Sequence, residues 1–167
     1  MRTTKARWIT SIAAALAVVV IAGVAQAQSK KVLKALKGSL IISSDVIDIP
    51  DGGDKEVIKT LKKAHQDTLK HFAANGVAAW QFNFIAFMKK PPGTTEISLD
   101  FYTADKEKLY VANKRLTGVD AKLTVLRGRV DISEDDNVNK NRKYVVKLTT
   151  TRGGKETVLA TTELTFK

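Results

Sequence analysis

The sequence predicts an all-β domain: a β-sandwich of about seven antiparallel strands, with one amphipathic helix inserted between the first and second strands. Three observations predict it. Val77 to Met88, VAAWQFNFIAFM, sets Trp80, Phe82, Phe84, Ala86 and Met88 on one parity, and period-two spacing rich in aromatics is a strand pattern. Alternating runs recur every ten or so residues with short turns between them, which is sandwich spacing. One stretch, from Asp54 onward, repeats at three- and four-residue steps instead, the mark of a helix with one buried face. A small barrel is the second architecture that fits these strands.

The first 27 of the 167 residues read as a secretory signal peptide. Arg2, Lys5 and Arg7 make a basic start, Trp8 to Val24 is uncharged, and Ala25-Gln26-Ala27 has the small-x-small form of a cleavage site. At 17 residues the apolar run is at the short end for an uncleaved span. The chain contains no cysteine. It therefore has neither a lipid-attachment thiol nor disulfides, although an exporting compartment would permit the latter. Removing the three leader cations from the formal +11 leaves +8 on the 140 residues from Gln28. A domain of that length buries about two thirds of its unfolded surface and needs no staple.

Residues 28–37 carry Lys30, Lys31, Lys34 and Lys37; they form a basic lead-in or the start of the first strand. A single domain over 38–167 follows. In Gly38 to Ile49, Leu40 and Ile42 share one parity, Ile47 and Ile49 the other. Side chains cannot change face without an extra residue, so a bulge or bend is expected near Ser43-Ser44-Asp45. Pro50-Asp51-Gly52-Gly53 is a turn. The helix is expected over 54–75, with Asp54 as N-cap, Ile58, Leu61, His65, Thr68 or Leu69, and Phe72 inward, and Asn75-Gly76 as its stop.

The Val77–Met88 strand is apolar on much of both faces, so it is expected at the centre, covered on each side. Pro91-Pro92-Gly93-Thr94 turns the chain into Thr95–Thr103, where Ile97, Leu99 and Phe101 alternate with a wet face. The two strands fit as a hairpin or as a crossing between sheets. A three-residue loop, Ala104-Asp105-Lys106, would pair Phe101 with Leu109 in a strand over 107–113. Val119 to Ile132 changes parity, and Gly128 marks the expected bulge. Arg142–Thr151 and Glu156–Phe166 form the last hairpin. A bare two-residue Gly153-Gly154 turn would put much of the second arm's apolar set on the wrong face, so a three-residue loop or an equivalent bulge is expected.

The last third, YVVKL through the Gly-Gly turn to VLATTELTF, resembles the final strands of immunoglobulin-like and fibronectin type III-like sandwiches, and Tyr144 with Val146 stands where such folds place a tyrosine corner. The resemblance implies an immunoglobulin-like sandwich; the inserted helix departs from it. The whole chain also resembles exported bacterial proteins of unassigned function, which implies no site.

The side chains suggest no catalytic centre, and no catalytic, cofactor-binding or metal-binding residue is assigned. His65 and His71 stand six apart on the expected helix, about 240° around its axis; His65 reads as packed against the core, His71 as solvated. Neither has the convergent donors of a zinc site, and no phosphate loop or dinucleotide fingerprint is present. Asp131, Ser133, Asp135 and Asp136 mimic the opening of a calcium loop, but Asp136 stands where glycine belongs and Arg142 where a bidentate glutamate belongs. Asp45, Asp48, Asp51 and Asp54 are explained by turns and capping. Trp80 reads as core; Tyr102 and Tyr110 are the better candidates for a ligand-facing surface.

These readings give an exported, non-enzymatic binding or interaction module of the cell envelope, periplasmic or extracellular, with no cofactor. The charge suits an anionic polymer, lipid surface or acidic protein, and export makes nucleic acid a poor partner; the same charge also serves solubility alone. An assembly subunit pairing through a sheet edge is the alternative, and a carboxylate-based hydrolase the third.

Overall fold

The computed structural model describes residues 28–74 and 76–167; the expected signal peptide at 1–27 and Asn75 lie outside the described residues. The chain order is α1 (Lys30–Ala35), β1 (Leu40–Ser43), α2 (Asp54–Ala64), β2 (Thr68–Leu69), β3 (Phe72–Ala74), β4 (Val77–Phe87), β5 (Glu96–Thr103), β6 (Tyr110–Thr117), β7 (Val125–Ser133), a 3-10 turn (Glu134–Asp136), β8 (Arg142–Arg152) and β9 (Lys155–Phe166). The fold is mostly β and has two sheets. In the first, β4 pairs along one edge with β1 and β3 in succession and along the other with β7. The second has the order β2-β9-β8-β5-β6. Nine strands are described, against about seven expected. No helix among the described residues is long and apolar enough to cross a membrane.

β4 is covered on both faces, as its pattern predicts. Trp80, Phe82, Phe84, Ala86 and Met88 enter the core between the sheets, where they meet Leu99, Phe101, Tyr144, Val146 and Phe166. Ile85 and Phe87 face the other way, into a second core with Ile41, Ile47, Val32, Leu36, Val57 and Leu61. Both helices thus lie on the outer face of the first sheet. Residues 28–37 are mainly α1, capped by the Ser29 hydroxyl on the Val32 N–H at 3.2 Å. The expected bend lies at Ser44 and Asp45, where Ser43 Oγ accepts the Asp45 N–H, but no change of face accompanies it: Ile47 joins the second core that Ile41, of the same parity, already faces.

The helix expected over 54–75 stops at Ala64, with Gly53 rather than Asp54 at the N-cap. Its second half is the extra pair of strands. His65 leaves the helix with extended backbone, φ −66° and ψ 130°. The Gln66 N–H then bonds Ile42 O, Asp67 O accepts from Thr165 N, and Leu69 O accepts from Lys167 N. Sheet partners therefore take the backbone groups that a longer helix would have used. Leu69 is buried because β2 runs parallel to β9 at Phe166, whereas Phe72 is 47 % exposed. The helical spacing of those two residues was fortuitous, and tertiary pairing overrode it.

Four further expectations are corrected or refined. The chain crosses from β4 to β5 between sheets, the second of the two arrangements open for that turn. β6 begins three residues later than expected: Phe101 faces Ala112 and Leu99 faces Lys114, and Leu109 is 53 % exposed. Thr103 and Asp105 hold this longer loop, with Thr103 N–H bonding Leu109 O and Asp105 Oδ1 accepting from Thr103 Oγ1 and Lys108 N. Gly128 is no bulge. β7 runs in unbroken register against β4 with Gly128 opposite Phe84, and 119–124 precedes the strand rather than belonging to it. A Cβ on Gly128 would lie 2.6 Å from two ring carbons of Phe84; the glycine makes room for that ring. The last hairpin has the two-residue turn, Gly153 and Gly154 both at positive φ, with a shift between Leu148 and Thr149 that skips Leu159. That bulge is the equivalent of the longer loop and sets Tyr144 opposite Leu164.

Candidate binding site on the second sheet

β5 alternates, and its wet residues Glu96, Ser98, Asp100 and Tyr102 point away from the core. With β6 and the turn-side end of β8 they line an open groove of about 640 Å³ on the outer face of the second sheet. Asp100 is its anchor, only 5 % exposed. Ser98 Oγ donates to its Oδ1 at 2.6 Å and Thr149 Oγ1 to its Oδ2 at 2.5 Å. The buried carboxylate is thus satisfied on both oxygens, as a buried charge requires. Glu96 pairs with Arg115 at 2.9 Å.

Tyr102 and Tyr110, the two surface candidates, meet on this face with ring centroids 5.6 Å apart in an edge-to-face contact. The Lys147 ammonium sits 3.9 Å from the Tyr102 ring centroid, within cation–π range, while Tyr110 stays 55 % exposed. Both phenols titrate above the ordinary tyrosine range. For Tyr102 the causes are partial burial, then the negative charges of Glu156 and Asp100; for Tyr110 they are partial burial and then Asp100, opposed by a hydrogen bond with Asn113.

At the turn end of the same sheet lies a second cavity of about 210 Å³ between the β4–β5 loop and the β8–β9 hairpin. Its wall contains Lys90, Arg152 and Lys155, with Pro91, Pro92, Thr150 and Thr157. No carboxylate lines it. The crossing at Pro91-Pro92 fixes one side, helped by the Thr150 hydroxyl donating to Pro92 O at 3.4 Å; the tight Gly153-Gly154 turn brings Arg152 opposite Lys155 on the other.

The remaining candidates are dispersed. His65 is the C-terminal cap of α2 and joins the sheet edges: its Nδ1 accepts the Ile42 N–H at 3.1 Å and its Nε2 lies 3.2 Å from both Thr162 Oγ1 and Asp67 Oδ1. His71 is exposed as expected but also reaches the Trp80 ring, 6.4 Å between centroids. Trp80 is wholly buried and donates Nε1–H to Lys167 O at 3.1 Å. The acids of the calcium-like run have separate partners: Gln81 on Asp131 at 2.6 Å, Lys114 and the Ser133 N–H on Asp136. Asp54 receives the Ser29 hydroxyl, while Asp45 and Asp48 lie exposed on the loop before α2. Among the described residues no three His, Cys, Asp or Glu groups stand close enough to hold a metal ion.

The basic cavity escaped sequence reading because its cations come from two turns more than sixty residues apart. The signal was there in part: Lys89-Lys90-Pro91-Pro92 and Arg152-Gly-Gly-Lys155 are both turns flanked by cations, and only the pairing of sheets puts them side by side. Compared with protein families, with curated proteins and with solved structures, the chain has no match in any of the three.

Proposed function

We propose that the chain is an exported, non-enzymatic binding module of the cell envelope that engages an anionic polymer through the cavity at Lys90, Arg152 and Lys155. The observation that carries this reading is the one-signed lining: three cationic side chains in a concave wall with no acid among them. Anionic groups are attracted there from solution, and an arginine offers a planar fork for carboxylate, sulfate or phosphate oxygens. The leader at 1–27 supports export to the periplasm or beyond. In the groove, the engagement of Asp100 by Ser98 and Thr149, and of Glu96 by Arg115, favours binding over carboxylate catalysis.

The fold itself supports an immunoglobulin-like or fibronectin type III-like sandwich. Support comes from the order β1-β4-β7 in one sheet and β6-β5-β8-β9 in the other, and from Tyr144, buried near the start of β8, whose hydroxyl accepts the Asn139 N–H at 2.8 Å, five residues upstream. A tyrosine corner makes a bond of this kind, from the hydroxyl back to the backbone a few residues upstream.

The test is binding of polygalacturonate measured calorimetrically as salt rises from about 50 to about 500 mM. Exposed charge contacts are screened over that range, so affinity is expected to fall at least about tenfold. Lys90→Gln with Arg152→Gln and Lys155→Gln is expected to abolish binding, whereas Lys59→Gln with Lys62→Gln, on the exposed face of α2, leaves it unchanged. Binding that ignores salt, or survives the triple substitution, refutes the assignment. A second reading, assembly through a sheet edge, has one observation in its favour: no described strand pairs with the outer edge of β6 or β7. Sedimentation that stays monomeric at high concentration removes it.

A further inference from the structure

The basic cavity and the groove adjoin, since Thr150 lines both. Their charges have opposite signs. The groove carries Glu96, Asp100 and Glu156 against the single guanidinium of Arg115, which Glu96 already holds. An acidic group is thus drawn into the cavity and repelled from the groove beside it. A cationic ligand is repelled at longer range by the +8 of the processed chain. The groove suits an uncharged ligand, and its lining states which kind.

Ser98, half-buried, has committed its hydroxyl proton to Asp100, so its free lone pairs are acceptors for incoming O–H groups. Asn113 adds a side-chain amide with both donor and acceptor. Tyr110, 55 % exposed, offers a ring face to an apolar surface. A sugar ring meets all three demands, with hydroxyls around its rim and C–H groups on its face. At about 640 Å³ the groove is also within the ordinary ligand-site range of ~300–1,000 Å³. A lipid headgroup fits less well. Membrane attachment needs an apolar face beside the basic site, and no exposed large apolar side chain lines the basic cavity.

We infer that cavity and groove form one site for a glycan whose acidic groups are spaced apart by uncharged rings, an acid seated among Lys90, Arg152 and Lys155 and a neutral ring several rings farther along the same glycan lying against Tyr110, at the far end of the groove. This rests on the anion-binding reading of the cavity and adds the ligand class.

The experiment uses the full chain expressed with its leader and purified after export, titrated with three hexasaccharides: chitohexaose, with no acid; a hyaluronan hexasaccharide, with an acid on every second ring; and hexagalacturonate, with an acid on every ring. The hyaluronan oligomer is expected to bind at least about tenfold tighter than either of the others. Tyr110→Ala is expected to weaken it about tenfold, the equivalent of about 1.4 kcal/mol, and to leave hexagalacturonate unchanged. Arg152→Gln weakens both acidic oligomers. Hexagalacturonate binding as tightly as the hyaluronan oligomer, or a Tyr110→Ala variant that binds it undiminished, overturns the inference while leaving the basic cavity intact as an anion site. Failure of both acidic oligomers overturns the cavity reading and the inference together. Vesicles containing phosphatidylglycerol bound more tightly than any oligomer would assign the cavity to a lipid headgroup and refute the glycan.

Discussion

Gly128→Ala is the sharpest test of how the core is built. A β-strand glycine replaced by alanine ordinarily gains about 0.4–1 kcal/mol, because the unfolded chain loses freedom. Here the added Cβ would stand 2.6 Å from two carbons of the Phe84 ring, about 1 Å inside the usual carbon–carbon contact of ~3.5–4.0 Å. Phe84 is 1 % exposed, in a core that also holds Phe82, Phe101 and Trp80, so the ring has no open space to enter. Overpacking of this kind costs about 1–3 kcal/mol. Set against the entropic gain, the net expectation is a loss of about 1–2 kcal/mol, or a melting temperature lower by about 3–8 °C for a domain of this size. Urea unfolding followed by Trp80 fluorescence reads it directly, since Trp80 is the sole tryptophan from Gln28 onward and is wholly buried. Phe84→Leu supplies the second arm of the cycle. In that background the alanine should cost less than about 0.5 kcal/mol, a coupling of about 1 kcal/mol between the two positions. A variant as stable as the parent, or the same cost with and without the ring, refutes the claim that Gly128 exists to seat Phe84.

His65→Phe keeps a planar aromatic ring but removes the acceptor for the Ile42 N–H; it is expected to cost about 1–3 kcal/mol, and a midpoint equal to the parent's in urea would show that the bond contributes nothing. Tyr144→Phe deletes the hydroxyl that accepts from Asn139 N and should cost about 1–2 kcal/mol by the same measurement, with no change meaning that the upstream loop does not depend on it. Tyr102 and Tyr110 have raised folded-state pKa values; the neutral phenols are the forms the fold favours, so their contribution is full below the unfolded tyrosine range near pH 10 and is lost as pH climbs through the folded values. Ultraviolet titration should show both ionising later than free tyrosine, and Glu156→Gln should bring Tyr102 back toward it. Ionisation of both in the free-tyrosine range would disprove the crowding of charge on that face.

The parts of the fold that were legible in the sequence are those whose burial is periodic along a single segment. β4 announced both of its faces, because Trp80, Phe82 and Phe84 alternate with Ile85 and Phe87 across two cores. The bend after Ile42 was inferred from a change of parity, whereas Ile41 and Ile47 share both a parity and the second core. Where a residue's neighbour comes from far along the chain, period alone misled. Leu69 and Phe72 continued the rhythm of α2, yet the ladder to Thr165 and Phe166 gave those backbone groups better partners. Gly128 looked like a break because glycine has no parity of its own; only the register with Phe84 explains it. Leu109 passed for a strand residue until the Asp105 turn lengthened the loop around it. Of the site, Tyr102 and Tyr110 were legible as wet-face aromatics, whereas the burial of Asp100 depends on Thr149, 49 residues away, and the basic cavity depends on two turns meeting.

The charge of +8 on the 140 residues from Gln28 says less about binding than the way its signs are distributed. Seven of the cations are the lysines at 30, 31, 34, 55, 59, 62 and 63, all exposed on helices whose apolar sides fill the second core. A stripe of that kind keeps a helix solvated and gives no concave wall. The cavity at the hairpin has only three cations, yet they converge from two segments held rigidly by the crossing at Pro91-Pro92 and the turn at Gly153-Gly154. Convergence matters because several charges near one anion act together, whereas charges dispersed beyond a Debye length of about 8 Å are screened from it. The salt response of polyanion binding should therefore follow substitutions at Lys90, Arg152 and Lys155 and ignore the helical lysines, even though the helices hold more than twice as many.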